Sequence, residues 1–152
     1  MKLIISLLLF NLFSIATQND SEWKTYEIFS MKLSLPATFK AGTKNEYNTY
    51  SFPNTISSSI VLNVECLIAT AKFTPASLTS YHDDYLPEFK TITQDVINDS
   101  VFVLGGVDKN GKAFHVKGVK KDHSFFGLTI KYSPKYQYVF NENLSKILES
   151  FK

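Results

Sequence analysis

The chain has no arginine: its sixteen basic residues are all lysine and face fourteen acidic ones, for a formal charge of +2. Bidentate gripping of guanine or phosphate uses the guanidinium fork, and nucleic-acid binders gather their basic residues on one face. A balanced, lysine-only chain lacks that footprint, so nucleic acid is not an expected partner. Cysteine is nearly absent too. The single Cys66 cannot close an intramolecular disulfide, and the fold must be held by its core. It lies in the apolar run from Ile60 to Ile68, where a small buried side chain is expected rather than a reactive thiol. No apolar stretch reaches the roughly 20 residues of a membrane-spanning helix.

What is present describes an ordinary globular chain. Hydrophobic residues make up 44% and charged residues 20% of the 152 positions, which excludes whole-chain disorder and fits one domain with one core. The N-terminus reads as an address. Met1 and Lys2 give a short positive start, Leu3 to Phe13 an apolar stretch interrupted at Ser6 and Asn11, and Ser14 and Ala16 the small residues before a cleavage point. Residues 1–16 are therefore expected to be a signal peptide and residues 17–152 a single secreted or periplasmic α+β domain, with no membrane span after cleavage. No cysteine follows the apolar stretch, which excludes a bacterial lipoprotein anchor there. Asn19, Asn98 and Asn143 each begin an Asn-x-Ser site, relevant only in a eukaryotic secretory pathway.

Period-2 alternation predicts strands at Phe29 to Leu35, ended by Pro36, then at Tyr47 to Phe52 and Ile60 to Ile68. Thr74 and Pro75 look like a helix cap with a first-turn proline. The stripe Leu78, Tyr81, Tyr85, Leu86, Phe89 then predicts a helix that Pro87 ends or kinks. Three strands should follow, Ser100 to Val107, Lys112 to Lys120 and Ser124 to Tyr132, with a type I′ turn at Asn110-Gly111. Ser133 and Pro134 open a closing helix whose stripe runs Tyr136, Phe140, Leu144, Ile147, Leu148, Phe151. The fold expected is an antiparallel sheet packed against two helices in an α-β-α sandwich.

Several clusters carry chemical residue types without the arrangement the chemistry needs. Gly106 to Lys112 matches G-x-x-x-x-G-K, but Ala113 replaces the magnesium-binding Ser or Thr and strand sequence follows where a helix should start. Asp108 and Asn110 open a calcium-like loop that lacks its terminal glutamate. His82, Asp83 and Asp84 read as a solvated helix face, since the positions beside His82 are Leu78, Tyr85 and Leu86. His115 and His123 could meet across a hairpin but show no third ligand. Asp122, His123 and Ser124 are triad residue types in a row, whereas a working triad is assembled in space. No catalytic residue, metal or cofactor is assigned.

Aromatic residues are abundant, at 14%. Most must be core. Trp23, Tyr26, Tyr47 and Tyr50, in the least patterned region, are the candidates for a partner- or ligand-binding surface, because Trp and Tyr at a surface favour interfaces.

Two stretches carry a family resemblance. Phe29 to Phe39, an alternating strand with Pro36 and a following aromatic, and Leu144 to Lys152, a terminal helix ending in a Ser-Phe pair, resemble the PsbP-like superfamily, which includes DcrB-like envelope proteins. The resemblance would span residues 22–152. It implies the α-β-α sandwich and a docking or accessory role, with no shared catalytic set to carry over. The function expected is a non-enzymatic module that docks to another envelope or secreted protein. The alternative is a small-ligand carrier or small hydrolase using a pocket between sheet and helices.

Overall fold

In the computed structural model the described residues are 22–68 and 75–152. The expected signal peptide and Thr74 lie outside them. The strands are β1 (Trp23–Ile28), β2 (Met31–Pro36), β3 (Thr43–Lys44), β4 (Thr49–Pro53), β5 (Val61–Ile68), β6 (Phe89–Ile97), β7 (Val101–Asp108), β8 (Ala113–Lys121) and β9 (Ser124–Tyr132). The helices are α1 (Leu78–Tyr85), α2 (Gln137–Phe140) and α3 (Leu144–Ser150). Seven strands form one antiparallel sheet in the order β3-β4-β5-β9-β8-β7-β6, and β1 and β2 pair as a separate hairpin.

Alternation along the central strands divides the side chains between the two faces. One face carries Leu62, Val64 and Cys66 of β5 with Phe126, Leu128, Ile130 and Tyr132 of β9. The hairpin's Ile28, Met31, Leu33 and Leu35 join them, together with Phe140, Ile147, Leu148 and Phe151 from the chain end. The opposite face carries Phe102 and Leu104 of β7, Phe114 and Val116 of β8 and Phe125 of β9, covered by Leu78 and Tyr81 of α1. The α-β-α sandwich is thus realised with α1 on one side and the hairpin, α2 and α3 on the other. The C-terminus is stitched to β2, where Lys32 and Lys152 exchange backbone hydrogen bonds of 2.9 and 3.2 Å.

Several sequence expectations are corrected. β1 and β6 are strands the pattern did not reveal, and Phe89 starts β6 rather than continuing the helix stripe. Phe29 is not in a strand: with φ 58° it occupies the turn between β1 and β2 and is 39% exposed. The cap of α1 is Ser77, not Thr74. Its hydroxyl accepts from the Ser80 N–H at 3.0 Å while the Ser80 hydroxyl accepts from the Ser77 N–H at 3.2 Å, a reciprocal cap that satisfies two otherwise free donors. The Asn110-Gly111 turn is not type I′, because only Gly111 has positive φ. Asp108 shapes it instead, its Oδ1 accepting from the N–H groups of Asn110 at 2.9 Å and Lys112 at 2.8 Å. The closing helix breaks at residues 141–143, where the Asn143 side chain donates to the Val139 carbonyl at 3.0 Å and so competes with the helical ladder.

Gly118 of β8 decides how β7 and β8 pack. A Cβ there would lie 2.0 Å from the ring of Phe102, itself 0% exposed. Gly118→Ala is therefore expected to destabilise the protein by about 1–3 kcal/mol or more through overpacking. A urea midpoint equal to that of the wild type would show that Phe102 is not locked against β8.

Candidate functional site

The face beneath α1 holds the polar groups of greatest interest. Leu78, Tyr81, His82 and Tyr85 are spaced at i, i+3, i+4 and i+7, which turns all four toward the sheet. Tyr81 meets Phe102 edge-on at 5.4 Å and Phe125 at 5.8 Å, and His82 meets Phe102 edge-on at 5.4 Å. Consecutive helical residues diverge by about 100°, so Tyr81 and His82 reach toward opposite ends of the sheet.

Toward β5, Glu65 receives both tyrosines. Its Oε1 accepts from the Tyr81 hydroxyl at 2.6 Å and from the Tyr85 hydroxyl at 2.5 Å. Burial, and then the Tyr85 and Glu65 charges, hold Tyr81 well above the ordinary phenol range. Burial and the Glu65 carboxylate raise Tyr85 as well. Both phenols are fixed as donors. Gly127 of β9 clears the space, since a Cβ there would lie 2.1 Å from the Tyr81 hydroxyl oxygen and 2.9 Å from Glu65 Oε1. Beside this arrangement opens a cavity of about 190 Å³ lined by Glu65, Leu67, Pro75, Tyr81, Asp84 and Tyr85.

Toward β6, His82 is clamped between two carboxylates. Nδ1 lies 2.8 Å from Asp83 Oδ1 and Nε2 lies 3.0 Å from Asp95 Oδ1. At 6% exposure it is buried rather than solvated, which corrects the reading of its cluster as an open acidic face. Asp83 and Asp84 do face solvent.

On the other face, Tyr132 lies 3.4 Å from His115 Nε2 and donates to Gln137 Oε1 at 3.1 Å, while its ring stacks on Phe140 at 4.1 Å. His115 Nδ1 is buried without a hydrogen-bond partner among the described residues. His123 sits in the turn beyond the end of β8, so the two histidines do not meet across the hairpin. Asp122, with φ 54°, and His123 form that same turn, and Ser124 begins β9. Cys66 is buried in the core and its thiol is raised by burial against the opposing Lys44 charge. Among the described residues no three His, Cys, Asp or Glu side chains are grouped to hold a metal.

The four aromatic candidates are divided. Tyr26 packs edge-on against Phe52 at 5.2 Å, and Tyr50 against Phe29 at 5.4 Å, along one seam between the hairpin and β4. Trp23 belongs to the reverse side of the hairpin, with the Lys146 ammonium 3.9 Å above its ring. Tyr47 stands out from the β3–β4 turn at 76% exposure. The Glu65 site escaped the sequence because its partners lie sixteen and twenty residues away; a glycine between Phe126 and Leu128 in a strongly alternating strand was the available signal.

The architecture is that of a PsbP-like α+β sandwich. The fold is similar to the solution structure of cyanobacterial PsbP (CyanoP) from Synechocystis sp. PCC 6803, with a TM-score of 0.63 over 93% of this chain and 98% of that one, at 10% identity. No family model matches the sequence, and no curated protein matches it. No helix among the described residues is long and apolar enough to cross a membrane.

The histidine clamp has a defined pH dependence. Burial opposes a charge on His82, but the hydrogen bonds and charges of Asp83 and Asp95 outweigh it and raise its pKa above 6.5. A raised folded-state value gives stabilisation that is fully present below the unfolded value of about 6.5 and is lost as pH rises through the folded one. His115, lowered by burial, acts with the opposite sign: its contribution is present above the unfolded value and is lost as pH falls below it through the folded one. In urea melts the stability gap between wild type and His82→Gln is expected to be wider at pH 6 than at pH 8. A gap that is constant or widens with pH would contradict the clamp.

Proposed function

We propose that the chain is an exported, non-enzymatic accessory module that docks to another envelope or secreted protein. The observation that carries the reading is the open edge formed by β6. The opposite edge, β3, is two residues long, short enough to offer no template. β6 runs for nine residues, and every one after Phe89 is exposed, including Ile92 at 40%, Val96 at 55% and Ile97 at 41%. An edge of that length, with apolar side chains and no neighbouring strand among the described residues, is a template for strand addition. Register shifts around Lys90 and Thr93 distort its first half and leave Gln94 to Ile97 in regular pairing with β7. Bulges of this kind discourage indiscriminate pairing along an edge and confine docking to the regular stretch.

The signal-peptide pattern of residues 1–16 supports export, and the PsbP-like architecture agrees with an accessory role. The second candidate surface is Tyr47 with the Tyr26–Tyr50 seam, while Trp23, on the reverse side of the hairpin, lies apart from it.

The test uses the full chain with a C-terminal tag, expressed in its own cell type so that any leader is processed, and mass spectrometry of what it retains. One partner in stoichiometric amount is expected, lost in the double variant Val96→Lys, Ile97→Lys at an unchanged melting temperature. Retention of the partner by that variant together with its loss on Tyr47→Ala would move docking to the aromatic surface. Recovery of no partner from either envelope or secreted fractions would sink the reading.

A further inference from the structure

Between α3 and the β6 side of the sheet lies a second cavity, of about 170 Å³, lined by groups of both charges. The strand register builds its floor in two rows. Gln94, Gly105 and His115 lie opposite one another on β6, β7 and β8, and Val96, Val103 and Lys117 form the next row. Directly opposed residues share a face. In the first row the bare Gly105 lets two acceptors converge: the point where its Cβ would lie is 2.9 Å from His115 Nδ1 and 3.3 Å from Gln94 Oε1. The Tyr132 hydroxyl uses its one proton on Gln137 Oε1, 3.1 Å away, and is left to accept from His115 Nε2–H at 3.4 Å. Nδ1 therefore carries a lone pair, buried and without a donor among the described residues. Burial lowers the pKa of His115 and favours this neutral ring. In the second row Lys117 is the donor. Its ammonium has three N–H groups, of which the Leu148 carbonyl takes one at 2.7 Å. Burial pushes Lys117 below the ordinary lysine range, against the charge of Glu149.

We propose that this cavity binds a small aliphatic α-amino acid as its zwitterion. The ligand ammonium donates to His115 Nδ1 and Gln94 Oε1 and faces the Glu149 carboxylate. The ligand carboxylate accepts from Lys117 and from the Ser145 hydroxyl, and the side chain lies on Val103 and Leu148. Each simpler ligand leaves part of this lining unmatched. An anion is repelled by Glu149 and a cation by Lys117. A neutral apolar molecule leaves Nδ1 buried and unpaired, which costs the full desolvation of that acceptor. A metal ion is poorly served, since among the described residues no three His, Cys, Asp or Glu side chains are grouped to hold one.

The spacing agrees with such a ligand. Two residues along a strand amount to about 6.6 Å, so the acceptor row and the donor row lie within reach of the two ends of one α-amino acid. On α3, Ser145 and Glu149 are four residues apart and stand on one face of the helix, with Leu148 beside them in the wall. The size agrees as well. About 170 Å³ is below the ~300–1,000 Å³ of pockets for drug-sized molecules and restricts the ligand to a few heavy atoms. Gln94 is the entrance: it is exposed on the edge strand, and its side chain lies over Gly105 beside Nδ1, so the ligand amine enters between the two acceptors. The site shares only Gln94 with the docking stretch of β6, needs no protein partner, and gives the small-ligand alternative a defined place between sheet and helix.

L-Valine is the probe, titrated into isotope-labelled protein and followed by amide and histidine ring-nitrogen resonances. Isovalerate, which lacks the ammonium, and isobutylamine, which lacks the carboxylate, are the matched controls. Saturable amide shifts at Gln94, Gly105 and Lys117 are expected with valine, with affinity at least about tenfold weaker for either control, the scale of one lost charge-assisted hydrogen bond. The Nδ1 resonance of His115 should move toward its hydrogen-bonded value with valine and stay in place with isovalerate. Glu149→Gln, at an exposed position, should weaken valine binding about threefold or more and strengthen isovalerate binding, at an unchanged melting temperature. Equal affinity for valine and the two controls, shifts located elsewhere, an unmoved Nδ1 resonance, or no saturable shift at millimolar valine would each overturn the proposal. The last of these is what a cavity holding only ordered water would give.

Discussion

The layer that carries the site depends on a single steric fit, the ring of Phe102 lying across the bare backbone of Gly118. With no side chain on β8 at that point, Phe102 can fill the middle of the α1 face, and it is fully buried there. Three residues of α1 then use it as their floor: Tyr81, His82 and Tyr85 all place their rings within 6.2 Å of its centroid. An eight-residue helix is too short to hold itself in water, where isolated helices below about 12–15 residues are marginal. α1 therefore owes its existence to this aromatic contact and to the polar ties at its two sides.

Those ties explain how so short a helix organises so wide a sheet. Glu65 belongs to β5 and Asp95 to β6, and three strands, β9, β8 and β7, lie between them. Four strand spacings amount to about 19 Å. Tyr81 and Tyr85 reach one way and His82 the other, so α1 acts as a strut across the strands. Its two ends differ in chemistry. The Glu65 end is held by phenols raised above their ordinary range and keeps its hydrogen bonds throughout the physiological range. The Asp95 end depends on the protonation of His82 and loosens as pH rises. The edge strand β6 is joined to α1 through that second, titratable end, while the cavity lined by Glu65 sits at the first.

How far this was legible from sequence follows from where each signal lives. Strands buried on at least one face announce themselves: Leu62, Val64 and Cys66, and Phe126, Leu128, Ile130 and Tyr132, alternate as they must to reach the core. The order of those strands with α1 and the closing helices was enough to suggest the PsbP-like sandwich. β6 gave no such signal, because a strand exposed along nearly its whole length has no buried face to enforce alternation. β1 was hidden for a related reason. It pairs only with β2, and its outward residues are polar. The break before α3 was invisible because the apolar stripe continues through it in phase, while the interruption comes from Asn143 turning its amide back on the Val139 carbonyl. The Tyr–Glu arrangement was beyond any local pattern, being made by a strand and a helix on either side of a long connection.

The two faces of the sheet also differ in what shapes them. The hairpin face is filled by aliphatic and aromatic side chains that meet one another, and many substitutions of similar volume can be absorbed there by repacking. The α1 face is shaped by vacant positions. Gly106 lets the irregular part of β6 come close, since a Cβ would lie 2.0 Å from the Thr91 carbonyl oxygen. Gly118 receives Phe102, and Gly127 receives the Tyr81 hydroxyl on its way to Glu65. Glycine inside a strand weakens it by its conformational freedom and lack of packing surface. Three of them on one face of one sheet are a cost that packing alone would not favour. Each is matched by a large or polar group that could reach its position in no other way: a bulged edge, a buried ring and a phenol bonded to a carboxylate. The vacancies and the groups that occupy them form one design, and what they position is the irregular edge strand β6 and the bond from Tyr81 to Glu65 beneath α1.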